Sequence, residues 1–393
     1  MPDKRTRVAL IFGGRSGEHD VSCYSAAGML SHLHPDKYEV IPVWITPEGR
    51  WVIGSDRPRT GRVDVPMLLS MTPAEPAAAG APERSPLDSI LDALPVLRTA
   101  DVVLPALHGQ YGEDGTLQSL LASAGIPYVG NRVLTSATGM DKDHTKKLML
   151  AAGLEVAPWA VLRNGRDTLS QAERDRLGLP VFVKPAHGGS SLGVSRVDSW
   201  DRLPAAVAVA REAEDKVIVE AAVAGREVDL GVLEFPDGRV EAGPSLEIRV
   251  DADHTFFDYE AKYSGHGSTF DIPAKLPPEL TATLAEQAVR IFRALGCEGL
   301  CRVDFFLRDG VHPVANEINT LPGLTPASQF PQMWQAAGVT YPELLDILIQ
   351  TAIARATRRH GSATTATTAD AGADPAALPG ANGPAELPAG TLL

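Results

Sequence analysis

No stretch of this chain is apolar for the roughly 20 residues that a bilayer-spanning helix needs, which excludes a helical membrane protein. The basic start MPDKRTR is followed by too short an apolar run for a signal peptide, and that run passes straight into strand-like sequence. Cysteine is scarce. Cys23, Cys297 and Cys301 form no C-x-x-C pair and no even set, so a disulfide framework is excluded and a cytosolic protein with reduced thiols is expected. Positive charge is in deficit, with 36 Lys and Arg against 49 Asp and Glu and a net charge of −13. That balance argues against general affinity for nucleic acid or an anionic membrane, since both attract basic surfaces. No internal repeat is visible. Both common phosphate signatures are missing too: no G-x-x-x-x-G-K-[ST] loop and no G-x-G-x-x-G opening a helix.

What is there has room for two or three domains: 393 residues, 44% hydrophobic and 22% charged, as in an ordinary soluble enzyme. RVALIFGG (7–14) reads as a buried strand entering a glycine turn, DVSCYSAAGMLSHL (20–33) has helical spacing, and YEVIPVWIT (38–46) reads as a second strand. That order suggests a parallel sheet. Residues 55–95 are rich in Pro, Ala and Gly, and a loose insertion with one short helix at DSILDAL is expected. DVVLPALHG (101–109) resumes the sheet, and a first domain spans 1–135. A second, 136–225, opens with a helix in GMDKDHTKKLMLAAGL and holds the strands VFVKP and KVIVE; a third, 226–358, begins with REVDLGVL. Residues 359–393 hold almost no large apolar side chains, so they are expected to be disordered.

Two stretches carry the chemistry. In LCRVDFFLRDGVHPVANEINTLPG (300–323), two strands flank Asp309-Gly310, a strong two-residue hairpin signal. That turn sets Arg302 opposite Glu317 and Asp304 opposite Ala315, so Arg302, Asp304, Glu317 and Asn319 share one face. Val303, Phe305, Ile318 and Asn316 fall on the other, as does Cys301, a packed thiol. A loop one residue longer would break the alignment. Two carboxylates and an amide carbonyl make a hard oxygen site suited to Mg²⁺; the plainer reading is a solvated face on which Arg302 pairs with Glu317. The second stretch, FVKPAHGGSSLGV (182–194), runs from a strand through Lys184 into a Gly- and Ser-rich loop whose backbone N–H groups suit an anion. A lysine followed by proline at a strand end is hard to explain as core.

Taken together, GGRSGEHDVS (13–22), LHGQYGEDGTLQ (107–118), GMDK (139–142), VKPAHGGSSLGV (183–194), FDYEAKY (257–263), CRVDF (301–305) and NEINTLPGLT (316–325) resemble the D-alanine–D-alanine ligases of the ATP-grasp superfamily, motif by motif and in order. The resemblance runs from residue 7 to about 350. It implies an α/β (α+β) fold in three parts, an N-terminal parallel-sheet domain and two domains clasping ATP. It also implies a reaction: ATP converts one D-alanine into an acyl phosphate, and the amine of a second attacks it, for peptidoglycan precursors. The glycine-rich loop becomes the flap over the nucleotide.

By the same resemblance Lys142 and Lys184 contact the α- and β-phosphates, and backbone near Ser190 and Ser191 covers the β- and γ-phosphates. Glu220 takes the adenine amino group, the backbone of Ala221 and Val223 the ring edge, and Glu227 the ribose; Lys262 and Asn316 also belong to the nucleotide site. Asp304, Glu317 and Asn319 match the ligands of Mg²⁺ or Mn²⁺, two ions per site. Arg302 and the N–H of Gly323 match the oxyanion donors. Glu18 matches the group holding the first D-alanine ammonium, linked to Ser190 and Tyr263, with His108 nearby; Ser328 matches the receiver of the second carboxylate. A cytoplasmic homodimer is implied. The chain departs from relatives at Phe257, where many have a second tyrosine, at His187 and Gly188 in the flap, and at Gln329, where an apolar residue is common. Tyr263 is retained, which favours the dipeptide over D-alanyl-D-lactate. Competing with both are a ligase for a different acid and amine, a non-catalytic nucleotide-binding protein, and a dehydrogenase built on the N-terminal GG turn.

Overall fold

The computed structural model describes residues 5–55, 62–72, 85–163, 165–189, 192–250 and 268–370. Ser190, Ser191, Phe257, Lys262 and Tyr263 lie outside the described residues. Met1–Ala354 form one compact unit and Arg355–Leu393 a second.

Three sheets occupy consecutive stretches of the first unit. The first has the order β3-β2-β1-β4, from β1 (Thr6–Gly13), β2 (Tyr38–Ile45), β3 (Trp51–Ile53) and β4 (Val102–Pro105). β1, β2 and β4 run parallel and β3 runs antiparallel. The apolar run of β1 is continuous because both its faces are covered. Val8, Leu10 and Phe12 pack with the helix His19–His32 and with Leu344 and Leu345, whereas Ala9 and Ile11 pack with Leu97, Leu117 and Leu121.

The second sheet is antiparallel, β5-β8-β6-β7, from β5 (Trp159–Leu162), β6 (Val181–Pro185), β7 (Ser195–Val197) and β8 (Val217–Ala221). Val181, Val183, Val217 and Val219 bury one face against the helix Leu203–Arg211. The opposite face holds Phe182, Lys184 and Glu220, with Phe182 paired directly to Glu220. The third sheet runs β12-β11-β9-β13-β14, from β9 (Gly225–Glu234), β10 (Val240–Ala242), β11 (Leu246–Val250), β12 (Ser268–Asp271), β13 (Leu300–Arg308) and β14 (His312–Asn319), with β10 on β9. Leu280, Leu284, Ala288 and Ile291 repeat along one face of the helix Pro278–Ala294 and close over Val232, Val303 and Phe305.

Three expectations need correction. The insertion is not merely loose: it carries the helices Val65–Met71 and Pro86–Leu97, capped by the side chains of Asp64 and Ser85. Leu68, Met71 and Leu97 in them are fully buried, so the first core extends into it. The single helix expected from residue 139 is two, because the Asp141 side chain accepts N–H groups of Asp143 and His144 and restarts the chain as Lys142–Ala151. The final helix runs Tyr341–Asp370, past residue 358. Extending a formed helix through Ala-rich sequence costs far less than nucleating one.

Candidate active site

The acidic hairpin reaches the expected face by an unexpected route. Arg308 pairs with His312 rather than Val311, because the loop holds Asp309, Gly310 and Val311, with Asp309 at φ 54° and Gly310 at φ 78°. That is the longer loop expected to spoil the alignment. A bulge between Asp304 and Phe305 adds a second one-residue shift. Two odd shifts cancel in parity, since side chains alternate with period two. Arg302 therefore lies opposite Asn319, and Asp304 opposite Glu317. Ala315 moves to the core beside Phe305, and Asn316 leaves the core face to line the cleft.

Arg302 grips Asp304, not Glu317: Nε and Nη2 donate to Oδ1 and Oδ2, both at 2.7 Å. Asn319 Nδ2 donates to Asp304 Oδ2 at 2.9 Å, which turns its carbonyl oxygen away. Asp229, across from Asp304 on β9, is fully buried, and its Oδ1 has no hydrogen-bond partner among the described residues. Burial first, and then Asp304, push the Asp229 carboxyl well above the usual carboxylate range. Its Oδ2 accepts from Gln329 Nε2 at 3.1 Å, so the unusual Gln329 serves a buried acid. Asp304 and Glu317 face each other across the hairpin with Asn319 on the same face, and these hard oxygen donors are the types that a divalent cation takes, with both Asp304 oxygens engaged by Arg302 and Asn319.

A cavity of about 630 Å³ opens onto this face. Its walls include Glu18, His108, Lys142, Glu227, Gly323 and Ser328, together with the hairpin residues Arg302, Asp304, Asn316, Glu317 and Asn319. Glu18 precedes the helix His19–His32. Gly109 is left-handed at φ 72°, a conformation that strains any side chain, and a Cβ there would also stand 2.6 Å from Glu18 Oε2 and displace that carboxylate. His108 Nε2 meets Ser25 Oγ at 3.1 Å, and burial holds the imidazole below its usual pKa and therefore neutral. Ser328 Oγ accepts from Thr325 N–H at 3.1 Å and lies 2.8 Å from Thr325 Oγ1.

A narrower slot of about 160 Å³ lies between the second and third sheets. Lys184, Glu220, Ala221, Val223, Glu227 and Asn316 line it, with Phe182, Val194 and Phe306 as apolar walls. Lys142 lines both cavities: its Nζ donates to Gly188 O and stands 3.9 Å from Glu317 Oε2. Lys184 forms an ion pair with Glu220 Oε2 at 2.5 Å.

Sequence reasoning missed Glu113, Asp141, Lys146 and Asp229. Glu113 lines the main cavity and accepts the Gly109 N–H at 2.6 Å; burial and then Glu18 raise its pKa to about 8. Asp141 is a hub, taking Lys216 Nζ at 2.6 Å, His144 Nδ1 at 2.7 Å and His187 Nε2 at 3.2 Å. Its position before a helix start was a readable capping signal. Lys146 lies one turn after Lys142, on the same side of the helix, which spacing alone could have suggested. No sequence signal marks Asp229 as buried beside Asp304, because that contact crosses between strands distant in the chain.

A carboxylate face and a lysine-lined slot meeting between two sheets, with a glycine-rich loop at their junction, define an ATP-grasp enzyme. Models of the D-ala D-ala ligase N-terminus and C-terminus match residues 7–131 and 148–350. The chain is 53% identical over 365 residues to the D-alanine–D-alanine ligase of Mycolicibacterium smegmatis, covering 91% of this chain and 98% of that one. The solved ligase from Coxiella burnetii matches with TM-score 0.76 and 31% identity over 93% of this chain and 99% of that one. The Bacillus anthracis ligase complexed with ATP gives TM-score 0.69 and 30% identity over 90% and 99%. This chain belongs to the D-alanine–D-alanine ligase family and is an ATP-dependent ligase.

Proposed function

We propose that the chain joins two D-alanine molecules through a D-alanyl phosphate, releasing ADP and phosphate, and so supplies the D-Ala-D-Ala end of peptidoglycan precursors. The observation that carries this reading is Lys142, which lines both the slot and the acidic cavity. A group transferred from one to the other would pass its ammonium.

In this reading the slot takes adenosine, with Glu220, Ala221 and Val223 at the base and Glu227 at the ribose. Lys142, Lys184 and Lys262 hold the phosphates, under the loop carrying Ser190 and Ser191. Asp304, Glu317 and Asn319 would hold Mg²⁺ or Mn²⁺, two ions per site. Such an ion, when bound, neutralises phosphate charge during transfer. Arg302, forked onto Asp304, and the Gly323 N–H, both on the cavity wall, would stabilise the oxyanion charge as it develops. Glu18 holds the first ammonium, with Tyr263 and Ser190, and Ser328 receives the second carboxylate. Neutral His108 orients the first substrate without adding charge. An acyl phosphate hydrolyses in open water, so flap closure protects it. The domains are 1–135, 136–225 and 226–358, and the protein works as a cytoplasmic homodimer.

Phosphate release with ATP and Mg²⁺, with and without D-alanine, tests the reading when followed by mass analysis of the product. D-alanine-dependent release matched by D-Ala-D-Ala is expected. A folded, ATP-binding protein with no such turnover would sink it, and added D-lactate tests second-substrate choice.

A further inference from the structure

Lys146 is a lysine where none is expected. Its side chain is 1% exposed, and the helix Lys142–Ala151 carries it between the Trp159 ring, 5.9 Å from Nζ to centroid, and Glu220 Oε1. Among the described residues Glu220 is its one ion-pair partner. Glu220 is itself only 4% exposed and takes Lys184 on its other oxygen. Two ammonium groups thus make their ion pairs on one buried carboxylate at the slot wall, with Glu317 and Glu227 acting only from farther off, and such crowding of like charges is costly unless one cation has another use. Lys184 has one: it lines the slot beside Lys142, where phosphates would lie, whereas Lys146 lines neither cavity.

We propose that Lys146 is a specificity-determining positioning residue: it holds Glu220 as a permanent carboxylate that accepts from the 6-amino group of a purine, while Lys184 leaves Glu220 for the nucleotide phosphates and frees the accepting oxygen. Base reading and phosphate binding are thereby interlocked. This rests on the reading of the slot as an adenosine site. The charge pattern agrees, since against the cost of burial the Glu220 carboxyl is held below its ordinary pKa by Lys146 and then Lys184. Burial lowers Lys146, and Glu220 opposes that shift. A 6-oxo purine presents an acceptor to a carboxylate and is rejected, because neither side can donate.

Two measurements test it. In the first, kcat/KM is compared for ATP and inosine triphosphate in the wild type, Lys146→Met, Lys146→Arg and Glu220→Gln. The wild type is expected to prefer ATP by about 100-fold; Lys146→Met should shrink that ratio about tenfold or more, and Lys146→Arg should restore it. If Lys146→Met lowers both nucleotides equally, Lys146 is only structural and the proposal is overturned. If Glu220→Gln also leaves the ratio unchanged, the adenosine reading of the slot fails as well. In the second, wild-type binding is measured by calorimetry for ADP against IDP and for adenosine against inosine, so a variant that does not fold leaves the test intact. The interlock predicts stronger 6-amino discrimination with the diphosphates than with the nucleosides, by about tenfold. Equal discrimination would overturn it.

Discussion

The hairpin face and the nucleotide slot border one cleft, and their charged groups are arranged in opposite ways. On the hairpin side the Arg302 guanidinium serves Asp304 and the Asp229 carboxyl, whose burial favours its neutral form, with Glu317 beside them. On the slot side Lys146 and Lys184 both close on Glu220, with Lys142, Glu227 and Glu317 also on the slot wall. Each region partly neutralises itself, through the Arg302–Asp304 fork and the shared Glu220, and the two touch through Lys142 and Glu317 at 3.9 Å. Carboxyl groups outnumber the cation they share on the hairpin side, ammonium groups outnumber the carboxylate they grip on the slot side, and a metal–nucleotide complex complements both together. The site is thus built as two complementary halves, each completed by its share of the ligand.

Breaking the acidic half should have the largest effect. Glu317→Gln is expected to lower kcat by about 1,000-fold, because stabilisation of transferring phosphate charge is worth several kcal/mol. D-alanine-dependent phosphate release measures it, and melting should stay near wild type since the side chain is part-exposed. On the basic half, Lys184→Met should cut kcat/KM for ATP by about 100-fold, in line with loss of a charge-assisted hydrogen bond. If both variants lost only substrate affinity for D-alanine, the division into cation and anion halves would be wrong.

Changes outside the charged contacts of the two halves should have smaller effects. Gln329→Leu leaves Asp229 Oδ2 without its amide donor, at a cost of about 2 kcal/mol read by chemical denaturation. His187, at the start of the flap, is gripped by Asp141 and Glu214, and those hydrogen bonds raise its pKa to about 9. A raised histidine pKa stabilises the fold fully below its unfolded value near 6.5, and that contribution is lost as pH rises through about 9. The side chain is 44% exposed, so screening leaves about 1 kcal/mol. The stability gap between wild type and His187→Asn should therefore close between about pH 6.5 and 9. Deletion of Val311 should change almost nothing, because Asp309-Gly310 can then close the same Arg308–His312 pair as a two-residue turn. Activity within about threefold of wild type is expected; a collapse would show that loop length, not the bulge, aims the carboxylates.

The strands, the acidic hairpin and the family are legible in the amino-acid order alone. Those signals are local: apolar runs such as that of β1, the Asp-Gly turn, and motifs in a set order. The amino-acid order also placed Arg302, Asp304, Glu317 and Asn319 on one face, although by a register that the fold does not use. β13 pairs with β9 in unbroken register, so the loop's extra residue and the bulge both fall in its pairing with β14, which no single strand's sequence records. The charge partners, in contrast, are set by the folded arrangement of the sheets. Asp229 meets Asp304 across strands far apart in the chain, Glu220 meets Lys146 from β8 to a helix, and Gln329 reaches back to Asp229. Burial sets the strength of a charge contact, and burial belongs to the assembled sheets rather than to any segment.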